Sequence, residues 1–224
     1  MWQLLSDAAT AKVRQEIVDV GIELERIGIL DLTAGNISAR VGDDAIAITP
    51  SGIPYGDTTA DDIVICRLSD GSVISGHRKP SSELPLHSAV YAARPETGAV
   101  VHTHSPYATT LAVLGKPIPA VHYIISRLGT CEVPVVSYAT YGSDALAENA
   151  FAALGGTTRA LLLANHGALT IGDDLETAAV NARVLEILAT TYWRALSVGT
   201  PVILPDEEIA NVVERHKTYG QTAP

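Results

Sequence analysis

Cysteine is nearly absent from this sequence. Its two examples, Cys66 and Cys131, lie far apart and form no C-x-x-C pair. Neither a disulfide framework nor a cysteine-rich metal site can be built from them, and a reducing cytoplasm is the expected location. Basic charge is also scarce, with 15 Lys and Arg against 25 Asp and Glu and a net charge of −10. A broad basic surface for nucleic acid is excluded, and anionic membranes would repel the chain. Apolar runs such as Ala160 to Ala164 are far too short to span a bilayer. The opening MWQLLSDAAT has no basic stretch followed by a long apolar one, so it is not read as a signal peptide. No G-x-G-x-x-G or G-x-x-x-x-G-K-[ST] loop occurs, which removes Rossmann and P-loop readings. With no repeat and no linker, residues 1–224 read as a single domain. Phenylalanine occurs once and tryptophan twice, so the core is built from Val, Ile, Leu and Ala.

What is present is ample material for that core. Hydrophobic residues make up 47% and charged ones 18%, and the mean hydropathy of +0.21 is high enough to suggest an apolar surface used in assembly. Val13, Ile17, Val20, Leu24 and Ile27 recur at helical spacing, with Ser6 to cap that helix and Gly28 to end it. Asn36 to Val41, Ala45 to Thr49 and Ile63 to Leu68 are β-prone and separated by turn signals. A second helix starts at a Ser82 cap and runs to about Arg94, with Pro85 tolerated in its first turn. Strands are expected at Gly98 to Thr103, Val133 to Ser137 and Arg159 to Asn165, the last continuing through Ala168 to Ile171. Helices are expected at Ser105 to Leu114, Ser143 to Leu154, Leu175 to Val198 (capped by Asp173 or Asp174) and Asp206 to Lys217. The pattern is a mixed α/β or α+β sheet covered by helices.

The chemistry-bearing residues gather at strand ends. His102-Thr103-His104 closes the apolar run Ala99-Val100-Val101, and residues two apart on a strand point the same way. Two imidazoles side by side suit a divalent cation, although the pair alone is more often two polar residues at a strand end. His166 follows a second apolar strand and is a candidate third ligand. Glu83 sits at a helix start, where an acid also simply complements the helix dipole, and His87 follows it by one helical turn. Three histidines and one carboxylate make a plausible zinc set. A second theme is Thr33-Ala34-Gly35-Asn36, Ser51-Gly52 and Ser81-Ser82. Small and hydroxyl-bearing residues at turns can cradle a phosphate with backbone N–H groups, and equally they are ordinary turn chemistry.

These segments occur together with Thr49-Pro50-Ser51-Gly52-Ile53-Pro54-Tyr55, Pro80-Ser81-Ser82-Glu83, Ile118-Pro119-Ala120-Val121-His122-Tyr123, Tyr138-Ala139-Thr140-Tyr141-Gly142 and Asn165-His166-Gly167. In that order, from the first helix to the Lys217-Thr218-Tyr219-Gly220 tail, the chain resembles the class II aldolase and adducin family. The resemblance implies an α/β sandwich around a central, mostly antiparallel sheet. It implies Zn²⁺, with Mn²⁺ or Co²⁺ able to take the same ligands, held by Glu83, His102, His104 and His166. Glu83 would then leave the metal to act as general acid and base. Gly35, Asn36, Ser51, Gly52, Ser81 and Ser82 would bind the substrate phosphate. Tyr123 would donate a proton near the aldehyde carbonyl of a neighbouring subunit, and Tyr219 would help close the site. A homotetramer with sites at subunit interfaces follows from the same resemblance.

The implied reaction is reversible cleavage of L-fuculose 1-phosphate, or a related ketose 1-phosphate, to dihydroxyacetone phosphate and a small aldehyde such as L-lactaldehyde. A metal supplies the electron sink such a cleavage needs, so no Schiff-base lysine is required, and none stands out in this lysine-poor chain. Tyr141 stands where family members acting on fuculose phosphate carry phenylalanine, which opens the aldehyde end to other substrates such as a 5-deoxypentulose 1-phosphate. Methylthioribulose-phosphate dehydratases and pentulose-phosphate 4-epimerases share the scaffold. The non-catalytic adducin heads lack the ligands present here. His77-Arg78-Lys79 reads as a solvated loop and His122 as an interface residue.

Overall fold

The first helix forms where apolar side chains recur at helical spacing. The structure is a computed structural model, which describes residues 6–218 and 220, and Tyr219 lies outside them. Helix α1 (Asp7–Arg26) starts at Ser6, whose hydroxyl accepts from Ala9 N at 3.3 Å, and buries Ile17 and Leu24 against the sheet. The chain then builds strands β1 (Asn36–Gly42), β2 (Ala45–Ile48), β3 (Val64–Arg67) and β4 (Val73–Ser75), followed by helix α2 (Leu84–Ala93). Strand β5 (Ala99–Thr103), helix α3 (Pro106–Val113) and strands β6 (Ile118–Pro119), β7 (Glu132–Val133) and β8 (Val135–Val136) come next. Helix α4 (Asp144–Ala153), strands β9 (Ala160–Leu163) and β10 (Gly167–Gly172), and helices α5 (Leu175–Val198) and α6 (Asp206–His216) complete it.

Eight strands form one sheet in the order β4-β3-β2-β1-β5-β10-β9-β8, antiparallel throughout except for the parallel β8–β9 pair. β6 and β7 form a separate two-stranded ladder. The fold is thus the α/β arrangement with a mostly antiparallel sheet that the family resemblance implies. Alternation decides which side chain meets which helix. Ile37, Ala39, Ala47, Ile65 and Val101 pack under α1 and α5. Ile46, Ile48, Val64, Val100, Leu161 and Leu169 pack on the opposite face with residues of α2 and α4. A third cluster joins α3, α5 and β9. Burial on both faces explains why β2, β9 and the first half of β5 read as unbroken apolar runs. Each fully buried Ile, Leu or Val contributes about 1.5–3 kcal/mol.

Three sequence expectations are corrected and one open choice is settled. Val133 to Ser137 is two strands, because Pro134 has no N–H to donate to a ladder, so the chain pairs with β6 before it and β9 after it. Ala168 to Ile171 does not continue β9. It belongs to β10, which returns antiparallel to β9 after a turn over 164–166, with Asn165 in the left-handed region at φ 54°. Ser82 does not cap α2, since the cap position is Glu83, whose side chain makes no capping bond. Asp174, rather than Asp173, caps α5 by accepting from Thr177 N.

Candidate metal centre and active site

β5 supplies the first two histidines. Asn36 and Leu169 lie directly opposite His102 in the two flanking ladders, so the centre of the sheet carries this ligand. His102 Nδ1 donates to Ala168 O at 2.9 Å, which fixes the tautomer and leaves Nε2 bare for a cation. His104 follows past the end of the strand and is exposed, so the cluster opens to solvent on its side. His166 is presented by the β9–β10 turn. Gly167 beside it has no room for a side chain, since a β-carbon would strike the Thr103 carbonyl and fall 2.9 Å from His104 Cδ2. Gly35, at φ +81°, closes the other side, where a β-carbon would lie 2.6 Å from His102 O.

The structure brings Glu83, His102, His104 and His166 together, with one donor atom from each within 4.8 Å of the others. His102 Nε2 lies 3.0 Å from His104 Nε2 and 3.1 Å from Glu83 Oε2, and His166 Nε2 lies 3.3 Å from Glu83 Oε1. A tetrahedral zinc with bonds of about 2.0–2.1 Å has donor atoms about 3.3 Å apart, so the set fits such an ion. Glu83 Oε1 and His166 Nδ1 are buried polar atoms without a hydrogen-bond partner among the described residues. A buried carboxylate oxygen in that condition is what a cation would satisfy.

The electrostatics agree. Burial opposes ionisation of Glu83, but the neighbouring His102, the Asn36 amide and His166 outweigh it and hold the carboxyl well below the usual carboxylate range. Desolvation, reinforced by His102 and His166, pushes His104 down to about 4. Desolvation also lowers His166. The lowered His104 and His166 and the lowered Glu83 favour a neutral imidazole and an ionised carboxylate, the protonation states that ligate metals.

Of the other predicted site residues, Gly35, Asn36, Ser51, Gly52, Ser81 and Ser82 lie on segments joined to those that carry Glu83 and His102. Ser51 N donates to Lys79 O and Ser81 N to Thr49 O, each at 3.0 Å, zipping the 49–51 and 79–81 segments together. Ser81 Oγ accepts from Glu83 N at 3.2 Å, while Ser51, Gly52 and Ser82 face solvent. Arg78 anchors the loop before them on buried Asp62 at 2.7 Å, so that loop is tethered rather than merely solvated. A β-carbon on Gly142 would lie 2.8 Å from Ser82 O, which places the Tyr138 to Gly142 loop beside the serines. Asn36 is buried and its amide is engaged at both ends, by Glu83 Oε2 at 2.8 Å and by His87 Nε2 at 2.6 Å. His87 is therefore behind the ligands and not among them. Burial pushes it down to about 3. Tyr123 is not in the cluster. It is 51% exposed, stacks on His122, and lines a separate cavity of about 690 Å³ with Arg127, Arg215 and Thr218.

Sequence reasoning missed Ser38 and Tyr91, which bond to each other and, through Ser38, to His87. The available signal was the pairing of period two on β1 with period four on α2.

A family model described as the class II aldolase and adducin N-terminal domain matches residues 15–193. The chain is 43% identical to a Rhodospirillum rubrum protein named 5-methylthioribulose-1-phosphate/5-deoxyribulose-1-phosphate aldolase, over 94% of both chains. It is 41% identical to the L-fuculose phosphate aldolase of Escherichia coli, over 93% of this chain and 96% of that one. A solved structure of an L-fuculose 1-phosphate aldolase matches with a TM-score of 0.88 at 39% identity, covering 96% of this chain and 98% of that one.

Proposed function

The chain belongs to the class II aldolase and adducin family and is a metal-dependent aldehyde-lyase, and we propose that it cleaves a deoxyketose 1-phosphate. The products are dihydroxyacetone phosphate and a small aldehyde. The substrate is L-fuculose 1-phosphate, giving L-lactaldehyde, or a 5-deoxypentulose 1-phosphate, giving acetaldehyde. The observation that carries the reading is the convergence of Glu83, His102, His104 and His166 at zinc-like spacing. Tyr141 in the loop beside Ser82, and the relatives named for both substrates, support keeping the two aldehydes together.

Glu83, His102, His104 and His166 hold the metal, zinc in this reading. When bound, it supplies the Lewis acid that withdraws charge from the carbon left beside a carbonyl as the carbon–carbon bond breaks. Gly35, Asn36, Ser51, Gly52, Ser81 and Ser82 hold the phosphate through hydroxyls, the Asn36 amide and the backbone N–H groups not already spent between the 49–51 and 79–81 segments, which lets an acidic chain bind an anion without a basic patch. Glu83 is a poor base while it touches His102 and Asn36. Turning away from them raises its proton affinity. In the synthetic direction it then removes a proton from the nucleophilic carbon of dihydroxyacetone phosphate, and in cleavage it returns that proton. Tyr123 of a neighbouring subunit gives a proton to the aldehyde oxygen in synthesis and takes it back in cleavage. Tyr219 closes over the substrate. The active form is a homotetramer in the cytoplasm. Among the described residues no helix is long and apolar enough to cross a membrane.

The test is deuterium exchange into dihydroxyacetone phosphate in D₂O, followed by NMR with and without a chelator, and then a panel of aldehydes. Stereospecific exchange abolished by the chelator supports the reading. A metal-replete protein that exchanges nothing overturns it. The ratio of L-lactaldehyde to acetaldehyde condensation assigns the substrate.

A further inference from the structure

Beside Glu83 and His102, β1 and α2 meet along a row of polar side chains set in the core. Asn36, Ser38 and Arg40 alternate along β1 and face α2. His87 and Tyr91 succeed Glu83 at four-residue steps along the helix face that meets them. The contacts interlock. Asn36 Nδ2 donates to Glu83 Oε2 at 2.8 Å, Asn36 Oδ1 lies 2.6 Å from His87 Nε2, His87 Nδ1 lies 2.6 Å from Ser38 Oγ, and Ser38 Oγ lies 3.0 Å from Tyr91 OH. The Arg40 guanidinium sits 4.9 Å over the Tyr91 ring. Ser38, His87 and Tyr91 are buried, among apolar neighbours such as Leu86 and Val90.

One end sets the direction of every bond. The Glu83 carboxylate only accepts, so Asn36 turns its NH₂ toward it and its carbonyl toward His87. That carbonyl also only accepts, so His87 carries its proton on Nε2. His87 Nδ1 then accepts from the Ser38 hydroxyl, and Ser38 accepts from the Tyr91 hydroxyl. All the donors point toward Glu83. Burying such a row is costly when apolar residues of the same volume would pack as well, so a specific task is its natural explanation.

We infer that His87 is a positioning residue for Glu83: its Nε2–H locks the Asn36 amide with the NH₂ toward Glu83 Oε2, and the Ser38 hydroxyl, backed by Tyr91, donates to the Nδ1 that this tautomer leaves bare. The inference rests on the reading of Glu83 as metal ligand and acid–base group. An Asn36 side chain released from His87 is free to swing away from the carboxylate, which disturbs both the orientation of Glu83 and its hold on the metal.

Two experiments test it on the full-length, zinc-loaded protein. The first is a long-range ¹⁵N–¹H correlation of the histidine rings, with His87 assigned by its disappearance in His87→Gln. The expected pattern is a protonated Nε2 and a bare Nδ1, and a proton on Nδ1 overturns the inference. This measurement uses the unmutated protein and does not depend on any variant folding. The second is zinc affinity, measured by competition with a chromophoric chelator, for His87→Leu, His87→Gln, Asn36→Ala and the Asn36→Ala/His87→Leu pair. His87→Leu should weaken zinc by about 10–100-fold. His87→Gln should recover most of that, because its amide N–H can reach Asn36 Oδ1. His87→Leu should add little on top of Asn36→Ala. Equal losses in Leu and Gln, or additive effects, indicate packing alone and overturn the inference. In the deuterium-exchange assay kcat should fall with little change in KM. If the unmutated protein binds zinc yet exchanges nothing, the functional reading fails while the ring tautomer still judges His87.

Discussion

Gly167 lies so close to the end of β5 that a β-carbon on it would sit 2.9 Å from His104 Cδ2. The residue after one ligand thus governs the distance to another. Gly167→Ala should push the β9–β10 turn away from β5 and separate His166 from His104. We expect zinc affinity to fall at least about tenfold and stability to fall by about 1–3 kcal/mol. Chelator competition and urea unfolding measure the two.

Glu83→Gln keeps the shape of the side chain and an oxygen for the Asn36 amide, and removes the ability to carry a proton. Exchange into dihydroxyacetone phosphate should drop by about 10²–10⁴-fold. Zinc should remain bound with reduced affinity, since the three imidazoles stay. Near-normal turnover in this variant would remove Glu83 from the proton-transfer role.

His102 and His104 should separate in stability though both belong to the proposed metal set. His102 is buried and donates to Ala168 O, so His102→Ala leaves a cavity and an unpaired carbonyl. The metal-free protein should lose about 2–4 kcal/mol. His104 stands at the open side of the cluster, and His104→Ala should change metal-free stability by only about 0.5 kcal/mol. Both should lose zinc. Unfolding of the chelator-stripped variants checks the contrast.

Acid should weaken the metal-free fold in part through His87. Burial lowers this ring from 6.5 to about 3. Unfolded chain therefore takes up its proton below pH 6.5, while folded chain resists until about pH 3. Protonation favours the unfolded state across that window, so the contribution is fully present above pH 6.5 and is lost as pH falls, at about 1.4 kcal/mol per pH unit. Urea unfolding of metal-free protein between pH 7 and 4 should show a shallower loss for His87→Gln than for the unmutated chain. Equal slopes would mean that His87 is not held neutral.

How much of this was legible in the sequence follows from the range of the interactions involved. α1 and the apolar strands were readable because their periodicity is local. Val133 to Ser137 reads as one strand by composition, and Pro134 divides it. The β9–β10 turn is only weakly marked, by a histidine before a glycine at a strand end, because Asn165 enters the left-handed region without the Asn-Gly signal of a tight hairpin. At the site, each histidine alone was ambiguous. Their meeting depends on the pairing of Asn36 and Leu169 with His102, and of Gly167 with Leu163. Such long-range registers leave no local trace, so it was the family resemblance that joined the ligands. Ser38 and Tyr91 passed unread because a serine in a strand and a tyrosine in a helix are unremarkable until the two elements face each other.

The sheet tapers at both ends. β4, at one edge, has three residues, and β8, at the other, has two. Each offers an incoming strand only a few free backbone groups, too short a template for templated aggregation or for a sheet running from one molecule into the next. An assembly of copies, as proposed above, would then rest on surfaces other than the edges of this sheet, where a single substitution can tune its strength without touching the strand that carries His102.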